Sequence, residues 1–121
     1  MQLVTLYTSK GDPGAFLEYP HLYSPSGEWI GFVTAQRDVY SVLGQYVGYI
    51  TDDHRILRER TPSGSKPRLE PPPPPPARYP PATVPLAPLM RVLTHSTVDV
   101  LLDESERLHT LDQGELRQDL D

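Results

Sequence analysis

Apolar and polar positions along the first fifty residues fall into a pattern that repeats. Leu22-Tyr23-Ser24-Pro25-Ser26-Gly27-Glu28-Trp29-Ile30-Gly31-Phe32-Val33-Thr34 aligns without a gap on Val39-Tyr40-Ser41-Val42-Leu43-Gly44-Gln45-Tyr46-Val47-Gly48-Tyr49-Ile50-Thr51, 17 residues later. Five positions are identical and most others keep their class. An earlier copy, Leu6-Tyr7-Thr8-Ser9-Lys10-Gly11-Asp12-Pro13-Gly14-Ala15-Phe16-Leu17, lies 16 residues upstream. Each unit opens on an apolar-aromatic pair, crosses a polar stretch ending in Gly11, Gly27 or Gly44, and enters a run rich in β-branched and aromatic residues. That is the signature of a β-hairpin repeated in tandem. A helix would break at Ser24-Pro25-Ser26-Gly27, where proline presets φ and glycine accepts a positive value.

The second strands are expected to alternate, with Trp29, Gly31 and Val33 on one face against Ile30 and Phe32, and Tyr46, Gly48 and Ile50 against Val47 and Tyr49. One position is small in every unit: Ala15, Gly31, Gly48. Glycine weakens a strand, so something is expected to pass close there, either a neighbouring hairpin or the backbone of a ligand lying in a groove. After Thr51 the pattern decays. Asp52-Asp53-His54 reads as a turn and Ile56-Leu57 takes the place of Val39-Tyr40, but no turn glycine follows until Gly64. The missing strand of a fourth hairpin has to come from Leu89 to Thr94, from Val98 to Leu102, or from another chain.

Proline changes the picture downstream. Of 15 prolines, eleven lie between Pro67 and Pro88, six of them consecutive from Pro71 to Pro76. Lacking N–H groups, residues 61–88 are expected to form an extended, solvent-exposed polyproline II linker with no place in the sheet. Within it Arg68, Pro71 and Pro74 match R-x-x-P-x-x-P, a pattern read by domains that grip polyproline II. The chain then divides into a repeat-hairpin β domain (1–60), the linker (61–88), a completing strand and short helix (89–111, Ser105 capping a helix to Leu111), and a disordered acidic tail (112–121).

The tandem units Leu-Tyr-x-x-x-Gly-x-x-x-Ala-Phe-Leu, their aromatic-Gly-aromatic variants and the proline-rich segment behind them resemble the four-fold β-flower family of small bacterial domains. The resemblance covers Leu3 to Arg60. It implies an all-β fold of three to four short hairpins in a pseudo-symmetric flower or small open barrel, and it brings no catalytic residue.

Charge and residue chemistry narrow the function. Eleven basic and 16 acidic side chains give −5, and residues 99–121 alone carry −6, so neither part forms a phosphate-tracking surface and no nucleic-acid partner is expected. With no cysteine, thiolate metal sites and cysteine nucleophiles are excluded. His21, His54, His95 and His109 lack metal-ligand spacing, so no metal or cofactor is expected. Asp52-Asp53-His54 could hold a cation or pair a base with a carboxylate, but adjacent turn residues usually point apart. No apolar run spans a membrane, and a cytoplasmic location is expected. A three-petal domain cannot hide all its rings, so Tyr23, Trp29, Phe32, Tyr40, Tyr46 and Tyr49 are candidates for an exposed aromatic surface that binds a protein, lipid or glycan. The expected function is a non-enzymatic binding module; the alternative is an assembly protein, a homo-oligomer among the forms it could take, whose fourth unit another chain completes. Gly11, Gly27, Gly44, Ala15, Gly31 and Gly48 are expected to serve turns and close approach.

Overall fold

Eight short antiparallel strands, each paired with the next in chain order, make one sheet: β1 (Val4–Tyr7), β2 (Pro13–Glu18), β3 (His21–Tyr23), β4 (Trp29–Val33), β5 (Asp38–Ser41), β6 (Tyr46–Ile50), β7 (Ile56–Glu59) and β8 (Thr97–Asp99). The computed structural model describes residues 3–61 and 66–111. The expected disordered tail, 112–121, and Gly64 lie outside them. The sheet curls until its start meets its end, where the Tyr7 N–H donates to the His54 carbonyl at 2.8 Å.

The four hairpins β1–β2, β3–β4, β5–β6 and β7–β8 are the petals. The first three are built by one local rule. A hydroxyl residue, Thr8, Ser24 or Ser41, accepts from the amide four residues on, and its carbonyl accepts from the N–H of Gly11, Gly27 or Gly44 at 2.9 Å. All three glycines have φ between 86° and 90°, where a Cβ is disfavoured. Two of the three turns between petals follow the same rule from Thr34 and Thr51, with Arg37 (φ 68°) and His54 (φ 62°) in the left-handed place, while the first is formed at Tyr19-Pro20.

Each of these petals also carries a bulge at the same step, so Leu22 faces Gly31 but Tyr23 faces Trp29. The extra residue corrects the expected alternation. Ile30 and Val33 join the inner core, as do Val47 and, at its edge, Ile50, whereas Trp29 packs with the other face. At the centre of the inner face Leu6, Leu22, Val39 and Ile56, one from each petal, are all fully buried. The same place on the other face holds Tyr7, Tyr23, Tyr40 and Leu57, also buried. A Cβ on Gly31 would lie 2.4 Å from the Tyr40 carbonyl oxygen and one on Gly48 2.3 Å from that of Leu57. The small residue therefore lets the next petal's first strand approach.

The fourth petal is completed by the chain itself: β8 pairs with β7 through Leu57–Asp99, Arg58–Val98 and Glu59–Thr97. Of the two expected fillers, the one beginning at Val98 takes the place, while Leu89 and Val92 stay exposed. No second copy is needed to finish the sheet. The chain then turns into α1 (Val100–Asp103), capped by the Asp99 side chain, and one turn of 3₁₀ helix (Ser105–Arg107). The expected helix from Ser105 to Leu111 is displaced upstream because Val100, Leu101 and Leu108 are the apolar residues that plug the outer-loop end of the inner core.

The proline-rich segment is the loop of this fourth hairpin, and it corrects the expectation of a free linker. It is extended and outside the sheet, yet it is strapped across the tips of the other petals. Leu69 N–H donates to the Gly44 carbonyl at 2.9 Å and Arg78 N–H to that of Gly27 at 2.8 Å. Ala87 lies against Gly11, and the Tyr7 hydroxyl donates to the Pro85 carbonyl. The three contact residues are nine apart, three full turns of a polyproline II helix, so each presents the same side. Half-buried residues keep that phase: Pro72, Pro75, Pro81, Val84, Ala87, Met90 and Leu93. Proline gives way to Arg68-Leu69-Glu70 and Ala77-Arg78-Tyr79 where amide donors are required.

Candidate binding site

The aromatic face is the first site the sequence suggests, and it is covered. Tyr23, Trp29, Phe32 and Tyr40 are buried; Tyr46 and Tyr49 are half-buried. Phe32 stacks on Tyr40 at 5.4 Å and Tyr40 meets Tyr46 edge-on at 5.7 Å. Burial raises the Tyr23, Tyr40 and Tyr46 hydroxyls, and burial with the bond to Glu59 (2.7 Å) pushes Tyr49 up to about 12. The physical reason for the correction is the strap, a second layer over rings that one sheet could not hide. Tyr19 and Tyr79 remain exposed, on different parts of the molecule. Two polar atoms under this layer, His21 Nδ1 and Trp29 Nε1, have no partner among the described residues, and their rings meet edge-on at 6.2 Å.

The peptide motif is also engaged internally. Arg68 Nε donates to the Leu43 carbonyl at 2.7 Å, Pro71 is half-buried and only Pro74 is fully outward, so the three residues do not form one free surface. Further along, Arg78 pairs with Glu18 and Lys66 with Asp38 at 2.7 Å, fastening the strap to the sheet.

Asp52, Asp53 and His54 point three ways. Asp52 is 97% exposed and pairs with Arg37 at 2.6 Å. Asp53 turns back onto Arg55 at 2.7 Å; burial would raise its carboxyl, but the hydrogen bonds from Arg55 and Thr51 prevail and hold it below the usual range. His54 Nδ1 lies 3.2 Å from the Thr5 carbonyl. No dyad forms. Among the described residues no cluster of His, Asp or Glu could hold a metal ion, and no helix is long and apolar enough to cross a membrane.

What the fold does open is its axis. Opposite the end plugged by α1, the inner face forms a funnel of about 300 Å³. Its walls are Val4, Leu6, Leu17, Val33 and Ile50, and its mouth carries Tyr19, Arg37, Asp52 and His54. The walls come from equivalent places, since Leu17, Val33 and Ile50 each stand two residues after Ala15, Gly31 and Gly48. The mouth residues sit in the turns between petals, where left-handed Arg37 and His54 are projected over the opening. Sequence reasoning missed this site because its apolar residues read as ordinary core. The available signal was their recurrence immediately before a polar turn.

Residues 4–97 match the family described as 4-fold beta flower protein. The chain belongs to that family. The match runs from the first residue of β1 to the first of β8, so the strap lies within the β-flower unit, inside the fourth petal. No curated protein and no solved structure matches the chain.

Proposed function

We propose that this β-flower domain is a non-enzymatic binding module whose ligand enters the axial funnel. The observation that carries this reading is the pairing of an aliphatic wall, drawn from three petals, with a polar mouth at one opening of the inner core. Ligand sites are typically apolar concavities of a few hundred Å³ with a few convergent polar groups. The chemistry selects a small amphiphile: a compact apolar body seated on Val4, Leu17, Val33 and Ile50, and an anionic head at Arg37. The exposed Asp52 holds that guanidinium only weakly, since such surface pairs contribute about 1 kcal/mol or less, and a ligand carboxylate can replace it.

Methyl-resolved NMR titration with short- and medium-chain aliphatic carboxylates and the matching alcohols tests this. Shifts are expected at Leu17, Val33 and Ile50. Ile50→Trp should fill the funnel and abolish them, and Arg37→Gln should weaken the carboxylates relative to the alcohols. Shifts confined to the strap, or none at saturation, would overturn the reading.

A further inference from the structure

The strap shows the protein two chemically different sides. Its inner ridge, Val84, Ala87 and Met90, rests half-buried on the petals. One turn-phase away, Leu86, Leu89 and Val92 are 96%, 100% and 97% exposed. These three recur every third residue, so on a three-residue helix they form a single straight apolar ridge. None of them packs into the core among the described residues. Isolated exposed leucines are ordinary, but an aligned row on a segment already held rigid marks an interaction surface. The segment is held near each end of the row, by the Tyr7 hydroxyl on the Pro85 carbonyl and by Arg55 on the Arg91 carbonyl at 3.1 Å. Ordering has thus been completed before any partner arrives, which removes a large cost of binding an extended peptide.

We propose that Leu86, Leu89 and Val92 are a docking ridge for another protein, one that presents an aromatic-floored groove with a carboxylate rim. The aromatic floor follows from the helix type, because a polyproline II ridge has no lateral hydrogen-bonding pattern to satisfy and is gripped by flat rings. This molecule grips the inner side of the same segment in that way, with Val84 packed against the cluster of Phe16, Tyr23 and Trp29 and the Tyr7 hydroxyl on the Pro85 carbonyl. The acidic rim follows from charge. From Pro71 to Val98 there is no acidic residue, and beside the ridge the exposed Arg91 side chain makes no ion pair among the described residues, whereas Arg78 is already paired with Glu18. This surface is separate from the axial funnel, and the inference stands whether or not the funnel binds a ligand.

The test uses full-length protein with a photoreactive phenylalanine analogue replacing Leu89, Val92 or, on another ridge of the strap, Ala82, irradiated in the cells that make it. The expected result is one second protein crosslinked from positions 89 and 92 and not from 82, with the attachment mapped to aromatic residues flanked by Asp or Glu. That protein, purified, should bind the wild type and bind an L86S/L89S/V92S variant at least about tenfold more weakly. Arg91→Glu should weaken it too, and added salt should mimic that loss. The ridge residues are exposed, so the variants should melt as the wild type does, and any loss of binding is then a surface effect. Crosslinks confined to this chain, residues 112–121 included, crosslinks to a second copy, a partner surface without rings and carboxylates, or binding indifferent to the three serines would each overturn the proposal.

Discussion

At the scale of single residues, one conformation is filled by different side chains for a reason the structure makes visible. Five turns place a residue in the left-handed region; the two between petals use Arg37 and His54, and the three at petal tips use glycine. Conformation alone therefore does not demand glycine at the tips. The strap does, at two of them. A Cβ on Gly27 would lie 1.7 Å from the Arg78 carbonyl oxygen and one on Gly44 1.9 Å from that of Leu69, whereas one on Gly11 meets only Ala87 Cβ at 3.8 Å. Gly11→Ala should cost about 1 kcal/mol, the left-handed penalty by itself. Gly27→Ala and Gly44→Ala should each cost clearly more and expose the Arg78 or Leu69 amide to hydrogen exchange. Urea unfolding with residue-resolved exchange checks both; equal costs at the three tips would remove the strap from the explanation. The positive φ was legible in the repeat, but the steric demand was not, since it comes from residues 25 and 51 positions further along the chain, Leu69 for Gly44 and Arg78 for Gly27.

Elements show the same division between local and distant causes. Petals one to three could be read because hydroxyl, glycine and apolar pair recur at fixed spacing, and each hairpin satisfies its own turn. The bulge was not readable, as nothing in Trp29-Ile30-Gly31 distinguishes a bulged strand from an alternating one. Petal four escaped because its turn is replaced by the whole proline-rich segment, and proline composition reads the same whether the helix is docked or free. Its far end depends on an ion pair linking β7 to α1. Arg58 grips both oxygens of Glu104 at 2.8 Å, and those bonds hold the Glu104 carboxyl below its ordinary value. A carboxylate with a lowered folded-state pKa contributes stability above its unfolded pKa, about 4.3, and loses it as pH falls through the folded value. The wild type should therefore melt progressively earlier as pH drops below about 4. Glu104→Gln should start lower at neutral pH and fall less steeply, so that the two melting curves converge in acid; parallel curves would show that the pair does not fasten α1. Tyr49 acts at the opposite limit. With its folded pKa raised to about 12, its contribution is intact below about 10 and fades between those values, and Tyr49→Phe should flatten that alkaline loss.

At the scale of the whole molecule, the open question for a sheet of ordered neighbours is what joins its first petal to its last, because β1 and β8 do not pair. The joint is a polar knot built on the buried Asp99 and Arg55. Asp99, at the end of β8, accepts from the Ser9 amide at 2.6 Å and from the Ser9 hydroxyl, while its other oxygen caps α1 through the Leu102 amide. Arg55 reaches the same hydroxyl at 3.0 Å and is itself held by Asp53. One carboxylate thus connects the first tip, the last strand and the plug that closes the core. Removing it takes the acceptor from the Ser9 amide and from the Ser9 hydroxyl, each lost bond costing about 1 kcal/mol, and uncaps the helix at about 1 kcal/mol more. Asp99→Ala should therefore lower stability by about 3 kcal/mol, whereas Asp103→Ala, exposed on the same helix, should be close to neutral. Global destabilisation alone would not prove that the ring opens, so the deciding readout is regional. Exchange of the Tyr7 amide, which bonds across the joint to the His54 carbonyl, should accelerate in Asp99→Ala well beyond that of the Gly44 amide inside the third tip. Uniform acceleration at both amides would mean that the flower unfolds as one unit and that Asp99 serves the core rather than the closure.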